Sequence, residues 1–159
     1  MIIHSDKFIS DIQKRLQDLL VLTPVEKRQL YLAQGEILQS SVARQFQSVG
    51  NRYLGHTWAP LAESTKKAYK RKGYDLKPTL NRTGSSGLFG SIQTTVDSDG
   101  PKLGTNKEYA KYIMLGTRHM SPRPFLPMPP FQRSLIPDDI QRIRNITIKA
   151  YENKIKRLK

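Results

Sequence analysis

The residue types that do chemistry are few in this sequence and far apart. The three histidines, His4, His56 and His119, have no second His, Asp or Glu at a metal-ligand spacing. There is no cysteine, which removes disulfides, thiolate metal sites and thiol nucleophiles together. The 13 Asp and Glu are scattered, with no pair that stands out for general acid–base work. There is no GxxxxGK(S/T) phosphate loop and no dinucleotide fingerprint. Gly84-Ser85-Ser86-Gly87 falls one residue short of a GxSxG nucleophile elbow. The expectation is a protein that is not an enzyme, with no catalytic residue, cofactor or metal ligand.

The sequence is richer in chemistry for docking. Lys and Arg number 27 against 13 Asp and Glu, a net charge of +14. The densest run is Lys66, Lys67, Lys70, Arg71 and Lys72. It is either a contact for an acidic partner or DNA, or a solvated face. Gly84 to Gly87 also matches the GxxG loop that clamps nucleic-acid backbone in KH domains. That loop needs a helix on each side, whereas here a loop precedes and a strand soon follows. A turn into a short helix at Leu88-Phe89 is therefore preferred, and a basic nucleic-acid-binding module, KH-like or chromatin-associated, stays as the alternative. In Pro122-Arg123-Pro124-Phe125-Leu126 the prolines hold the chain extended at low entropic cost. Arg123 offers a two-pronged contact to a carboxylate, and Phe125 and Leu126 offer apolar anchors. The segment is either a partner interface or a strap across its own domain with Arg123 paired internally. Trp58, beside Pro60 and Leu61, is a partner hot spot or, preferred, a core residue.

These residues need positioning elements, and the pattern predicts an α+β fold in a single domain over the 159 residues. A helical hairpin occupies 1–50, a mixed α/β core 51–126 and a C-terminal helix 127–159. In 7–20, Phe8, Ile12, Leu16, Leu19 and Leu20 share a helical face. Thr23 then caps, with Pro24 at the first helical position, a helix running to about Val49 that Gly35 weakens slightly. A short basic helix spans 62–72 and stops at Gly73. Ser91 to Asp97 alternates as a half-buried strand, with Ile92, Thr94 and Val96 on one face, and Lys102 to Thr105 returns. Since two strands alone are marginal, a third is expected within 73–83 or 117–126. Thr83-Gly84 and Gly104-Thr105 read as turns. Thr105 to Glu108 reads as a capping box opening a helix through Leu115, with Tyr109, Tyr112 and Ile113 apolar and Gly116 as a left-handed C-cap. The last helix begins near Pro137, with Asp138 and Asp139 at its positive end. Its buried stripe reads Ile140, Ile143, Thr147, Tyr151, Ile155 and Leu158. No stretch reaches the ~20 apolar residues of a membrane span, and no signal peptide is predicted.

Four landmarks recur in order: Phe46 to Leu61, ending in Trp58-Ala59-Pro60-Leu61 with Thr65 and the basic run after it; Thr83-Gly84, Leu88 and Ser91-Ile92; Leu103-Gly104-Thr105, Tyr109-Ala110 and Gly116-Thr117; and Pro122 to Leu126. This order resembles the phage virion morphogenesis family, the tail-completion proteins of contractile-tailed phages and prophages, over roughly residues 20–146. The resemblance implies a virion protein made in the bacterial host cytoplasm, acting without cofactor in tail completion and head–tail joining. Its implied partners are phage tail and neck proteins and further copies of itself in a ring matched to the six-fold tail. DNA in a tail channel must slide, and a strongly basic lumen would hold it. Acidic protein partners are therefore preferred to nucleic acid for the lysine run. Two departures limit the transfer. Ile113 stands where family members often carry His, so no polar role is carried over there. The basic segment 147–159 extends past the usual end of the pattern.

Overall fold

The computed structural model describes residues 21–74, 80, 87–128 and 135–157. The helix expected over 7–20 lies outside them, as do Thr83 and Gly84. Among the described residues the fold is α+β, as expected: five helices and a two-stranded antiparallel sheet. Helix α1 spans Pro24–Gln47 and is the element on which the rest is built. Its start is a capping box. The Glu26 N–H donates to the Thr23 hydroxyl at 3.2 Å, and the Thr23 N–H donates to the Glu26 carboxylate at 2.9 Å. The helix ends in a turn through Val49 and Gly50, both at positive φ. At Gly50 a Cβ would lie 2.3 Å from the Trp58 indole, so glycine is what lets the tryptophan close over the helix end.

Two faces of α1 are used. On one, Gly35, Val42 and Phe46 meet the β-hairpin, β1 (Ile92–Asp97) and β2 (Gly100–Thr105). Gly35, expected only to weaken the helix, is the point of closest approach: an added Cβ would sit 2.4 Å from Thr94 Cγ2. The hairpin register runs from Ile92 opposite Thr105 to Asp97 opposite Gly100. The predicted alternation holds, with Ile92 buried, Thr94 and Val96 half-buried, and Gln93 and Thr95 exposed. Residues 117–126 add no third strand, only a bridge between Thr117 and Met120. The other candidate stretch, 73–83, lies mostly outside the described residues, and among those described helix α1 covers one face of the hairpin.

Three short helices follow along the chain, α2 (Asn51–Leu54), α3 (Glu63–Arg71) and α4 (Ala110–Leu115), of which α4 places Ala110 and Met114 in the core. A 3-10 turn, Phe89–Ser91, leads into β1. The core joins Val42, Phe46, Trp58, Leu88, Ile92, Ala110, Met114 and Phe125. Phe46 is its centre, with ring centroids of Trp58 at 5.6 Å, Phe89 at 5.1 Å and Phe125 at 5.8 Å.

Four local expectations are corrected. Gly104 and Thr105 are not a turn: β2 runs through both, Gly104 opposite Gln93. The ladder thereby occupies Thr105, and no capping box forms at Glu108. The Thr105 hydroxyl instead accepts from the Lys107 N–H at 3.2 Å and bonds the Ser91 hydroxyl at 2.6 Å, and α4 begins only at Ala110. Gly116 has positive φ but extended ψ, 79° and 178°, so it is not a left-handed cap. A Cβ there would meet the Met120 carbonyl oxygen at 2.7 Å. On α5 (Pro137–Arg157), Ile140, Tyr151 and Ile155 are exposed rather than buried, and Leu158 lies outside the described residues. The helix is rotated so that Asp139, Ile143, Thr147, Ala150 and Lys154 turn inward. Polar anchors set that rotation: Asp139 binds Arg44 and Arg52 on the α1–α2 side, Gln34 donates to Thr147, and Lys154 pairs with Glu26.

Candidate assembly interface

The proline segment crosses the subunit's own core. Arg123 is 6% exposed, Pro124 and Phe125 are buried, Leu126 is half-buried, and of the five only Pro122 is exposed. The Arg123 N–H donates to the Ile113 carbonyl at 2.8 Å. Its guanidinium Nη2 donates to the carbonyls of Ala59 at 3.2 Å and Pro60 at 3.3 Å. The Pro124 carbonyl accepts from Gln45 Nε2 at 2.9 Å and from Trp58 Nε1 at 3.1 Å. Of the two readings of this segment, the contacts are those of the strap, with Arg123 paired internally. Burial pushes the guanidinium below its usual value while Tyr69 pulls it back up. Among the described residues no carboxylate pairs with it. The Trp58 and proline-segment landmarks, over sixty residues apart, are thus one contact system: Trp58 is core, and Arg123 braces the loop that carries it.

Docking chemistry lies on other faces. Helix α3 has no buried residue. At 100° per residue, Lys66, Lys67, Lys70 and Arg71 fall within an arc of about 140°. Lys66 pairs with Glu63 at 2.6 Å; Lys67, Lys70, Arg71 and Lys72 are exposed. Cations in the last turn also suit the negative end of the helix dipole. On α4, the inner face is Ala110, Ile113 and Met114. The outer face presents Tyr109, Tyr112 and Leu115, exposed 45, 52 and 56%, with Lys111 Nζ 5.0 Å from the Tyr112 ring centroid. The sequence marked Tyr109, Tyr112 and Ile113 as apolar without dividing them between an inner and an outer face. The signal was there: a six-residue helix apolar at every position but Lys111 must expose one side.

A second unforeseen group is a charged clasp where α5 meets α1 and α2. Asp139 Oδ1 accepts from Arg44 Nη2 at 3.3 Å and Arg52 Nη2 at 3.0 Å, and its other oxygen accepts from the Ser41 hydroxyl. Asp138 bonds the same two arginines at 3.4 and 3.1 Å. The hydrogen bond from Arg52 holds the Asp138 carboxyl below its usual range. Tyr53, whose hydroxyl lies 3.0 Å from that of Ser41, is pushed up to about 12 by burial. With both Asp139 oxygens accepting from donors on α1 and α2, the group fastens α5 to those helices. The sequence pointed to Asp138 and Asp139 only as dipole partners, because Arg44 and Arg52 lie about ninety positions away.

Among the described residues no group of three or more His, Cys, Asp or Glu is placed to hold a metal. No described helix is long and apolar enough to cross a membrane. Comparison with curated proteins and with solved structures returns no match. Residues 8–150, from the first expected helix through most of α5, match the model of the phage virion morphogenesis family, and the chain belongs to that family.

Proposed function

We propose that this protein completes the phage tail and joins it to the DNA-filled head, acting without catalysis as a ring of copies in contact with tail and neck proteins. Family membership makes it a component of phage virion morphogenesis. The observation that supports a joining role is the outer face of α4, where two tyrosines and a leucine stand exposed beside Lys111. Tyr is enriched among the residues that dominate protein–protein binding. Exposed Pro122 lies against Gly116 at the end of α4, and the α3 cations add a surface for an acidic neighbour. The test is a phage or prophage lacking the gene. Its lysate should contain filled heads and finished tails but few joined particles. Normal joined particles, or no filled heads, overturn the proposal. Tight, steeply salt-dependent binding of random duplex DNA by the purified protein would favour the nucleic-acid alternative, for which the α3 ridge is the supporting feature.

A further inference from the structure

We propose that two copies of this chain pair through the outer faces of their α5 helices, antiparallel and about a two-fold axis centred near Ile148. On this helix Ile140, Ile148, Tyr151 and Ile155 are 41, 50, 38 and 45% exposed. With Arg144 they fall within an arc of about 80° at 100° per residue, beside the face turned to α1. Single exposed apolar residues are ordinary, but four in a line about 22 Å long form a seam. The clasp explains why the seam is outside: the polar anchors on Asp139, Thr147 and Lys154 aim a different face of the helix at α1.

The seam is self-complementary under reversal. With Ile148 opposite Ile148 of the second copy, Ile140 falls within one residue of the level of Ile155, and Arg144 within one of Tyr151, where a guanidinium stacks on an aromatic face. Charge selects the same arrangement. Asp138 and Asp139 are held by Arg44 and Arg52, and Lys154 and Arg157 by Glu26, so the exposed charges that decide are Arg144 and Glu152. Antiparallel pairing sets each Glu152 level with Arg144 of the second copy. Parallel pairing would oppose like charges and align the two helix dipoles unfavourably. A uniformly acidic partner would meet Glu152, and nucleic acid would meet an apolar centre, whereas a second copy of the same helix matches both.

An isologous contact of this kind uses the same patch on both subunits and cannot by itself propagate a head-to-tail ring. It is therefore separate from the ring contacts proposed above and stands or falls in the purified protein, whatever the phage phenotype. One helix pair lies at the small end of specific interfaces, below about 1,200 Å², so the pair should be weak and concentration-dependent.

The chain has no cysteine, so single introduced thiols report single positions. The full-length protein should double in mass over a series from about 1 μM to 1 mM by sedimentation. Ile148→Asp, at a half-exposed position, should keep the melting midpoint and lose the doubling. Under mild oxidation Ile148→Cys should form a disulfide-linked dimer. Ile140→Cys should do so only when mixed with Ile155→Cys. A single-chain mass across the whole series overturns the pairing, and if removal of residues 1–20 then restores doubling, those residues are the true occupant. Self-crosslinking of Ile140→Cys as readily as Ile148→Cys overturns the antiparallel register. Loss of fold in Ile148→Asp would leave the thiol experiment to decide.

Discussion

Asp138 and Asp139 are adjacent carboxylates that bind the same two arginines, yet replacing each by Asn should have very different consequences. The Asp139 side chain is 0% exposed and that of Asp138 is 57% exposed. Removing one partner of a buried ion pair costs about 3–5 kcal/mol, because the other charge stays behind uncompensated. Two features reduce that figure here. The Arg44 side chain is 37% exposed, so water shares its charge, and both arginines keep their bonds to Asp138. The Ser41 hydroxyl also loses an ionic acceptor, a charged hydrogen bond for a neutral one. The expected cost of Asp139→Asn is about 2–3 kcal/mol, or roughly a 5–10 °C fall in midpoint for a chain of this size. Asp138→Asn should move the midpoint by a small fraction of that, since exposed pairs contribute little. Both changes remove one negative charge, so net charge cancels from the comparison. Thermal and urea unfolding followed by circular dichroism measure both. Equal shifts would refute the reasoning: they would mean that burial does not set the strength of the clasp.

Trp58→Ala should destabilise by about 3–5 kcal/mol through the cavity beside Phe46. Trp58→Phe should cost only about 1 kcal/mol for its lost hydrogen bond, because Gln45 still satisfies the Pro124 carbonyl; urea midpoints separate the two. Arg123→Ala should lower stability by about 1–3 kcal/mol, with Arg123→Lys rescuing only in part since the more strongly hydrated ammonium is costlier to bury at this site; an unchanged midpoint in both would end the brace assignment. Tyr53 titrates higher in the folded state than in the unfolded one, so its contribution is fully present below about pH 10 and is lost as pH rises towards 12. Phenolate absorbance should show one late-titrating tyrosine that disappears in Tyr53→Phe. At the acid end the lowered Asp138 carboxyl contributes above the ordinary carboxylate range, and that part of the stability disappears as pH falls through its folded value. Asp138→Asn should flatten the acid limb of the stability curve only slightly, since the pair is exposed.

The elements that were legible in the sequence were those governed by neighbours along the chain. Thr23, Pro24 and Glu26 define the start of α1 through bonds three residues apart, and the alternation of Ile92, Thr94 and Val96 declares a strand with one face covered. Where the deciding partner was distant, local pattern misled. Thr105 offers a capping box on paper, but Ile92 pairs with it first. Periodicity drew an apolar stripe on α5, while two arginines, a glutamine and a glutamate on the other side of the interface chose a face one step round the helix. Arg123 could be read as a hand extended to a neighbour or turned inward, and only the folded positions of Ala59 and Pro60 tell which. The outer face of α4 shows the remaining difficulty: in a helix this short, both sides are apolar and periodicity has no contrast to work with.

The strap also has a place in time. Its bonds from Pro124 reach back 79 and 66 positions, to Gln45 and Trp58, and Phe125 stops the last open side of Phe46. Contacts that close such long loops carry the largest entropic cost and tend to form after local ones. On a translating ribosome, α1 and the hairpin are complete before Phe125 has been added. A half-made subunit therefore holds an unplugged aromatic slot, and the proline segment is its stopper, arriving late and already extended. Chains truncated before residue 122 should stick to one another, whereas a separate peptide carrying residues 120–128 should quiet them.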